Sequence, residues 1–288
     1  MTWRQYVGTL LVLLGLLPVT GTARQFTVST SGVRLDVLAL NGKTPHIGLT
    51  RDDFEVRDNG VRQQLDSVTT TDAAHVVVVL DVSGSVQGEP LRRLTTAANA
   101  LLARLTPKDR LTLVGFSHHL RLLTAANGAI QTDLLPLGGT TALHDAVFAS
   151  VLLAGDDPRP GLMILLTDGF DSVSWLTASQ SLEMALRADV VIYPVVTGYQ
   201  DLRASQYEGV QRARRSLEAL ATETGGRVFP VTAQGPIEAF LGILDEYRHR
   251  YVVTYAPTGV ERRGWHRVDV RLLRVRGTVH TRRGYDVP

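Results

Sequence analysis

Val76-Val77-Val78-Val79-Leu80 is the feature that most limits the folds open to this chain. Five successive apolar residues, four of them β-branched, suit a strand buried on both faces. Such strands belong to parallel sheets covered by helices on each side. The neighbouring sequence agrees: Leu91, Leu94, Ala98, Leu101, Leu102 and Leu105 follow at helical spacing. Residues 110–116, 162–166, 190–196 and 227–231 read as further strands, with 121–124 as a short edge strand turned back through His118-His119. Helices are expected over 142–153, 178–187, 206–222 and 237–247. Strands alternating with helices predict an α/β fold: a doubly wound, mostly parallel, six-stranded Rossmann-like sheet.

The flanks follow a different period. Val33, Leu35 and Val37 alternate with Arg34 and Asp36, and Phe54 and Val56 alternate with polar neighbours. Asn41-Gly42 and Asp58-Asn59-Gly60 are hairpin signals, because Asn and Gly accept positive φ at little cost. Beyond Tyr251, three strands are expected over 251–255, 266–273 and 278–285, where Val268, Val270 and Leu272 alternate with Arg267, Asp269 and Arg271. Neither flank has enough strands to stand alone. The expectation is that they pair, so that 24–72 and 251–288 are the halves of one small β-sandwich and 73–250 is an α/β domain inserted between them. The arginines from Gly264 onward then form the solvated side of alternating strands.

The first residues read as an address. Arg4 precedes an apolar run over 7–17, Pro18 breaks it, and Gly21-Thr22-Ala23 supplies small residues for cleavage. This is the pattern of a secretory signal peptide over 1–23. The run is short of the roughly 20 apolar residues that a spanning helix needs. The mature protein is therefore expected to be exported, to periplasm, cell surface or medium, with no membrane span. The chain has no cysteine, which excludes disulfides, thiolate metal sites and a cysteine nucleophile. Thirty basic against 28 acidic side chains give a net charge of +2 and no electrostatic case for nucleic acid.

Ligands of doubly wound sheets bind outside the carboxyl ends of the strands. Three loops lie there. The strand ending at Leu80 runs into Asp81-Val82-Ser83-Gly84-Ser85, Gly138-Gly139-Thr140-Thr141 precedes a helix, and Thr167-Asp168-Gly169 follows the strand at 162–166. The best-placed donors are Asp81, Ser83, Ser85, Thr141 and Asp168. Hard oxygen donors without imidazole or thiolate suit Mg²⁺, and also Mn²⁺ or Ca²⁺. Two carboxylates offset the ion's charge, while neutral hydroxyls leave an octahedral shell incomplete. One position stays open to water or to an acidic group from a partner, which is a binding mechanism with no bond made or broken.

These residues carry a resemblance. Asp81-x-Ser83-x-Ser85, a separated Thr and Thr167-Asp168-Gly169 resemble the metal-ion-dependent adhesion site (MIDAS) of von Willebrand factor type A domains, over roughly residues 75–250. Thr141 is preferred to Thr140 because it fits the pattern Thr-x-Leu-x-Asp-Ala, with Thr140 left to cap the helix. His144 stands where the family usually has an aromatic residue. The flanks are similar to an exported bacterial subgroup, in the stretch from Gly48-Leu49-Thr50 to Gly60 and in the tail Arg282-Arg283-Gly284-Tyr285. The resemblance implies an adhesion-type module that binds a protein partner and is not an enzyme. Asp145 and Asp171 are read as helix-start or loop carboxylates, and His118-His119 as solvated.

The alternative is a Mg²⁺-dependent phosphohydrolase of the haloacid-dehalogenase type using Asp81 as nucleophile. Such enzymes carry a second Asp two residues later as general acid/base; here Ser83 stands there, and its hydroxyl has no useful acidity near neutral pH. Lys43 and Lys108, the only lysines, are distant from the loops in sequence. A dinucleotide site is disfavoured because Gly84-Ser85-Val86-Gln87-Gly88 lacks the Gly-x-Gly-x-x-Gly spacing.

Overall fold

A computed structural model of the chain describes residues 32–287, apart from 85–87, 124, 127–128, 131–137, 156 and 233–234. The expected leader at 1–23 and Ser85 therefore lie outside the described residues. The first flank gives β1 (Val33–Asn41), β2 (Thr44–Pro45), β3 (Phe54–Asp58), β4 (Val61–Arg62) and β5 (Leu65–Thr70). The middle begins with β6 (His75–Asp81), α1 (Glu89–Leu102), β7 (Arg110–Phe116), β8 (Leu120–Leu123), β9 (Ala125–Ala126) and β10 (Ala129–Ile130). It continues with α2 (Leu143–Gly155), β11 (Gly161–Thr167), α3 (Ala178–Arg187), β12 (Val190–Val196), α4 (Tyr199–Ala204), α5 (Glu208–Thr224), β13 (Phe229–Pro230) and α6 (Ile237–Arg248). The last flank gives β14 (Tyr251–Tyr255), β15 (Gly264–Leu272), β16 (Thr278–His280) and β17 (Gly284–Val287).

The middle elements build a six-stranded mixed sheet in the order β13-β12-β11-β6-β7-β8. Five strands run parallel, and β8 folds back antiparallel on β7. The run at β6 is buried throughout, and its period-2 geometry splits it between two apolar layers. Val76, Val78 and Leu80 face α1 and α6, packing with Leu94, Leu101, Phe240 and Ile243. Val77 and Val79 face α2 and α5, packing with Val147, Val151, Leu217 and Leu220. The chain leaves β6 for β7 on one side and later returns to place β11 on the other. The topological switch point thus lies between β6 and β11, whose register sets Leu166 beside Leu80.

Both flanks contribute to two antiparallel sheets, one containing β16-β1-β14-β5 with β2, the other β17-β15-β3-β4. Leu35, Val37, Phe54, Val56, Val253, Tyr255, Val268 and Val270 belong to one apolar cluster drawn from both sheets. At its edge Asp58, fully buried, accepts hydrogen bonds from Tyr255 Oη (3.0 Å) and Tyr285 Oη (2.5 Å) and lies 2.8 Å from His266 Nδ1.

Three expectations are revised. The tail expected as one strand is two: β16 pairs with β1, and β17 pairs with β15. The chain changes sheets through Gly284, where a Cβ would lie 2.4 Å from His266 O, so only glycine allows the approach. The expected strand at 227–231 shortens to Phe229–Pro230, with Val231 N still donating to Val196 O (2.9 Å). A one-and-a-half-turn helix, α4, precedes α5 where a loop was expected.

The junction between α6 and β14 is held by Arg250, which is 1% exposed. Its guanidinium donates to Tyr193 Oη (2.8 Å) in β12, to Gly225 O (2.8 Å) after α5, to Asp36 O (2.9 Å) in β1 and to His280 O (3.0 Å) in β16. Burial pushes the nearby Asp36 carboxyl up to about 6, Asp189 adds to the rise, and Arg34, Arg250 and Arg282 oppose it. Among the described residues, no helix is long and apolar enough to cross a membrane.

Candidate metal centre

Asp81 ends β6, and Asp168 follows β11, so the two carboxylates stand at the carboxyl ends of the strands that flank the switch point. Asp81 is 1% exposed. Its Oδ1 accepts from Ser83 N at 3.0 Å, the turn that an Asp at a strand end makes with the residue two on. Its Oδ2 accepts from Thr167 Oγ1 at 3.1 Å. Thr167 Oγ1 in turn accepts from Gly169 N at 3.0 Å, and Asp168 Oδ1 accepts from Phe170 N at 3.1 Å. Gly169 has φ +91°, and a Cβ there would meet Leu217 at 2.8 Å. Glycine is thus what lets the chain turn away after Asp168.

The second loop is tied to the first by Gly138 N to Val82 O (3.2 Å) and Gly84 N to Gly139 O (3.4 Å). It is tied to the third through Thr141, whose carbonyl accepts from Ser172 N (2.9 Å) and Val173 N (3.2 Å), and whose N–H donates to Ser172 Oγ (2.9 Å). Asp171 Oδ1 accepts from Leu143 N (2.8 Å) at the start of α2 and from Ser174 Oγ (2.5 Å). Asp145 accepts from Trp175 N and Leu176 N, both at 3.0 Å. All three loops are therefore cross-braced by backbone bonds and carboxylates.

The electrostatics suit a cation. Burial raises the Asp81 carboxyl above its ordinary value; hydrogen bonds from Ser83 pull it back, and the charge of Asp168 pushes it up again. A buried carboxylate beside a second carboxylate calls for a proton or a positive ion. The donor set of carboxylate and hydroxyl oxygens fits a hard divalent ion. Burial lowers the His144 imidazole, whose Nδ1 is buried without a hydrogen-bond partner. Among the described residues, no three His, Cys, Asp or Glu side chains gather as a metal cluster of their own.

Residues 76–170 match the family model of the von Willebrand factor type A domain. This segment of the chain is a von Willebrand factor type A domain. The matched segment runs from β6 to the turn after β11 and so contains all three loops. An uncharacterized protein of Synechocystis sp. is 33% identical over 104 residues, which are 33% of this chain and 25% of that protein. The chain thus spans a quarter of the length of that relative. Among solved structures, the ArnB paralog VWA2 of Sulfolobus acidocaldarius matches at 16% identity and a TM-score of 0.46, covering 87% of this chain and 73% of that one. A von Willebrand factor type A protein of Catenulispora acidiphila matches at 19% and 0.43, covering 70% and 50%. Proximal thread matrix protein 1 of the mussel byssus, whose structure has a zinc-occupied MIDAS motif, matches at 14% and 0.46, covering 64% and 48%.

Within this von Willebrand factor type A domain, Asp81, Ser83, Thr141 and Asp168 fall on the braced loops. Asp81 and Ser83 are buried, and Asp168 and Thr141 half-buried, whereas Thr140 is exposed. The helix cap expected of Thr140 is supplied by Asp171 from the third loop instead. Asp145 is likewise a loop-bracing carboxylate. Sequence reasoning missed Thr167, whose hydroxyl bridges Asp81 and the Gly169 turn. Its place at the end of an apolar strand, just before Asp168, was the available signal.

Proposed function

We propose that the chain is an exported binding module whose von Willebrand factor type A domain takes a divalent ion, Mg²⁺ foremost, at Asp81, Ser83, Ser85, Thr141 and Asp168, and binds a protein partner there. The observation that carries this reading is the pairing of buried Asp81 with Asp168 across the switch point, on loops braced to one another. Asp81, Ser83, Ser85, Thr141 and Asp168 would hold the ion, which would supply a Lewis-acidic contact for a partner's acidic side chain. The protein's own residues do the rest. Asp81 and Asp168 balance the ion's charge, Ser83 and Thr167 fix the Asp81 carboxylate, and Asp145 and Asp171 hold the third loop against α2. The arrangement asks for no nucleophile or general acid, so binding rather than catalysis is its use. Residues 1–23 are read as the leader that sends the chain out of the cytoplasm. Residues 24–72 and 251–288 are read as two halves of one β-sandwich carrying the domain at 73–250, a reading supported by the apolar cluster the two sheets share.

The test is calorimetric titration of Mg²⁺ and Mn²⁺ into EDTA-stripped mature protein, beside Asp81→Ala. One saturable site, lost in the variant, is expected. Heats that are absent in both proteins, or equal in both, overturn the assignment.

A further inference from the structure

Three large apolar side chains stand exposed within six residues of the third loop. Phe170 is 44% exposed, Val173 43% and Trp175 95%. Single exposed hydrophobics are ordinary, but a cluster beside a candidate site marks an interaction surface. This loop is also held in place. Asp145 binds the N–H of Trp175 and of Leu176, Asp171 binds Ser174, and Thr141 O takes the N–H of Ser172 and Val173. An aromatic on a braced loop loses little freedom when a partner covers it, which is the property of an interface anchor. Phe170 also lines a cleft of about 430 Å³ with Asp168, Thr197, Leu202 and Val210. The cleft therefore begins at a proposed metal ligand and has an apolar floor. Asp201 on its lining, a carboxylate that the proposed ion does not use, repels a second anion.

We propose that Phe170, Val173, Trp175 and this cleft dock an apolar side chain of a partner protein, adjacent in the partner's sequence to the acidic residue that meets the metal. The inference rests on the metal-dependent reading above. It adds the kind of partner: a segment with one Asp or Glu flanked by a large apolar residue, not a run of acids. Charge complementarity sets this pattern, because the ion would accept one carboxylate while Asp201 on the cleft lining excludes another beside it.

The probe is a random linear-peptide library displayed on phage, selected on the mature chain in Mg²⁺ and eluted with EDTA. Peptides with an acid and a large apolar neighbour are expected. One of them, made synthetically, should bind at least tenfold more weakly to Trp175→Ala and to Phe170→Ser. Both variants should keep wild-type melting temperature and calorimetric Mg²⁺ affinity, since both side chains are exposed. Binding should also blue-shift Trp175 fluorescence in a Trp265→Phe background. Acid-bearing peptides without an apolar preference, or full affinity in both variants, overturn the docking surface and leave the metal reading standing. No EDTA-released enrichment, with Mg²⁺ still bound in calorimetry, overturns the docking surface too. Loss of both signals overturns the two readings together.

Discussion

Replacing Asp81 by Asn separates what the carboxylate costs the fold from what it gives the metal. Asp81 is 1% exposed, and both burial and Asp168 disfavour its charge. The amide keeps the shape. Asn Oδ1 can still accept from Ser83 N, and Asn Nδ2 can donate to Thr167 Oγ1, which has a second lone pair beyond the one used by Gly169 N. In EDTA the variant should therefore be at least as stable as the wild type. The sign has a pH signature. The folded-state value of Asp81 is raised, so its contribution is fully present at low pH and is lost as pH rises through that value. The variant's advantage in EDTA should thus be larger at neutral pH than at pH 4. Adding Mg²⁺ at a hundred times its dissociation constant stabilises the wild type by about 2.7 kcal/mol. For a chain of this size, that raises the melting temperature by roughly 5 °C. The variant should gain nothing, so the order of the two melting curves reverses between EDTA and Mg²⁺. Differential scanning calorimetry in both buffers decides it. Equal Mg²⁺ shifts in both proteins, or a variant that melts well below the wild type in EDTA, would refute the reasoning.

Two further outcomes concern the junction around Arg250. Asp36→Asn removes a carboxyl raised from 3.8 to about 6, so in the wild type folding takes up a proton between these values and stability falls as pH rises through about 6. Chemical denaturation should find the variant ahead at pH 7.5 by on the order of 3 kcal/mol and level with the wild type at pH 4; a gap that does not vary with pH would contradict this. Arg250→Met strands the carbonyls of Asp36, Gly225 and His280 and the Tyr193 hydroxyl in a buried place. It should cost about 3–5 kcal/mol in urea denaturation, while calorimetric Mg²⁺ affinity of the folded protein stays within twofold.

Local pattern carried the α/β core, and long-range contacts decided what local pattern missed. The run at β6 was legible because burial on both faces writes itself as continuous hydrophobicity, and the turn at Asp58-Asn59-Gly60 because Asn59 and Gly60 do adopt positive φ. The same turn signal hid a second role. Asp58 reads as a turn residue, yet it is fully buried, and its partners Tyr255, His266 and Tyr285 lie about 200 residues away in sequence. Arg250 reads as an ordinary charge after a helix, while its four acceptors come from four separate segments. No window of sequence contains such a network. The split of the tail between two sheets has the same origin, because it depends on how near Gly284 comes to His266.

At the candidate metal centre, the division falls between ligands and surface. Asp and Ser at a strand end are legible as donors because strand order alone brings those loops to one edge. Thr167 was passed over because its hydroxyl matters through Asp81, a neighbour across the sheet rather than along the chain. The ridge at Phe170, Val173 and Trp175 has a less direct signal still. In sequence these residues are as apolar as those of a core, and only the fold turns them outward. What holds them outward is polar: Asp145 and Asp171, legible in the sequence as helix-start or loop carboxylates, spend their oxygens on backbone N–H groups and a hydroxyl around this loop. A carboxylate used in that way leaves Asp81 and Asp168 as the acids for the proposed ion, and it fixes an apolar surface on the same loop as Asp168. On the proposed reading the acids of these loops divide into two for charge and two for position, and that division would let one short stretch of chain present both a cation and a hydrophobic anchor.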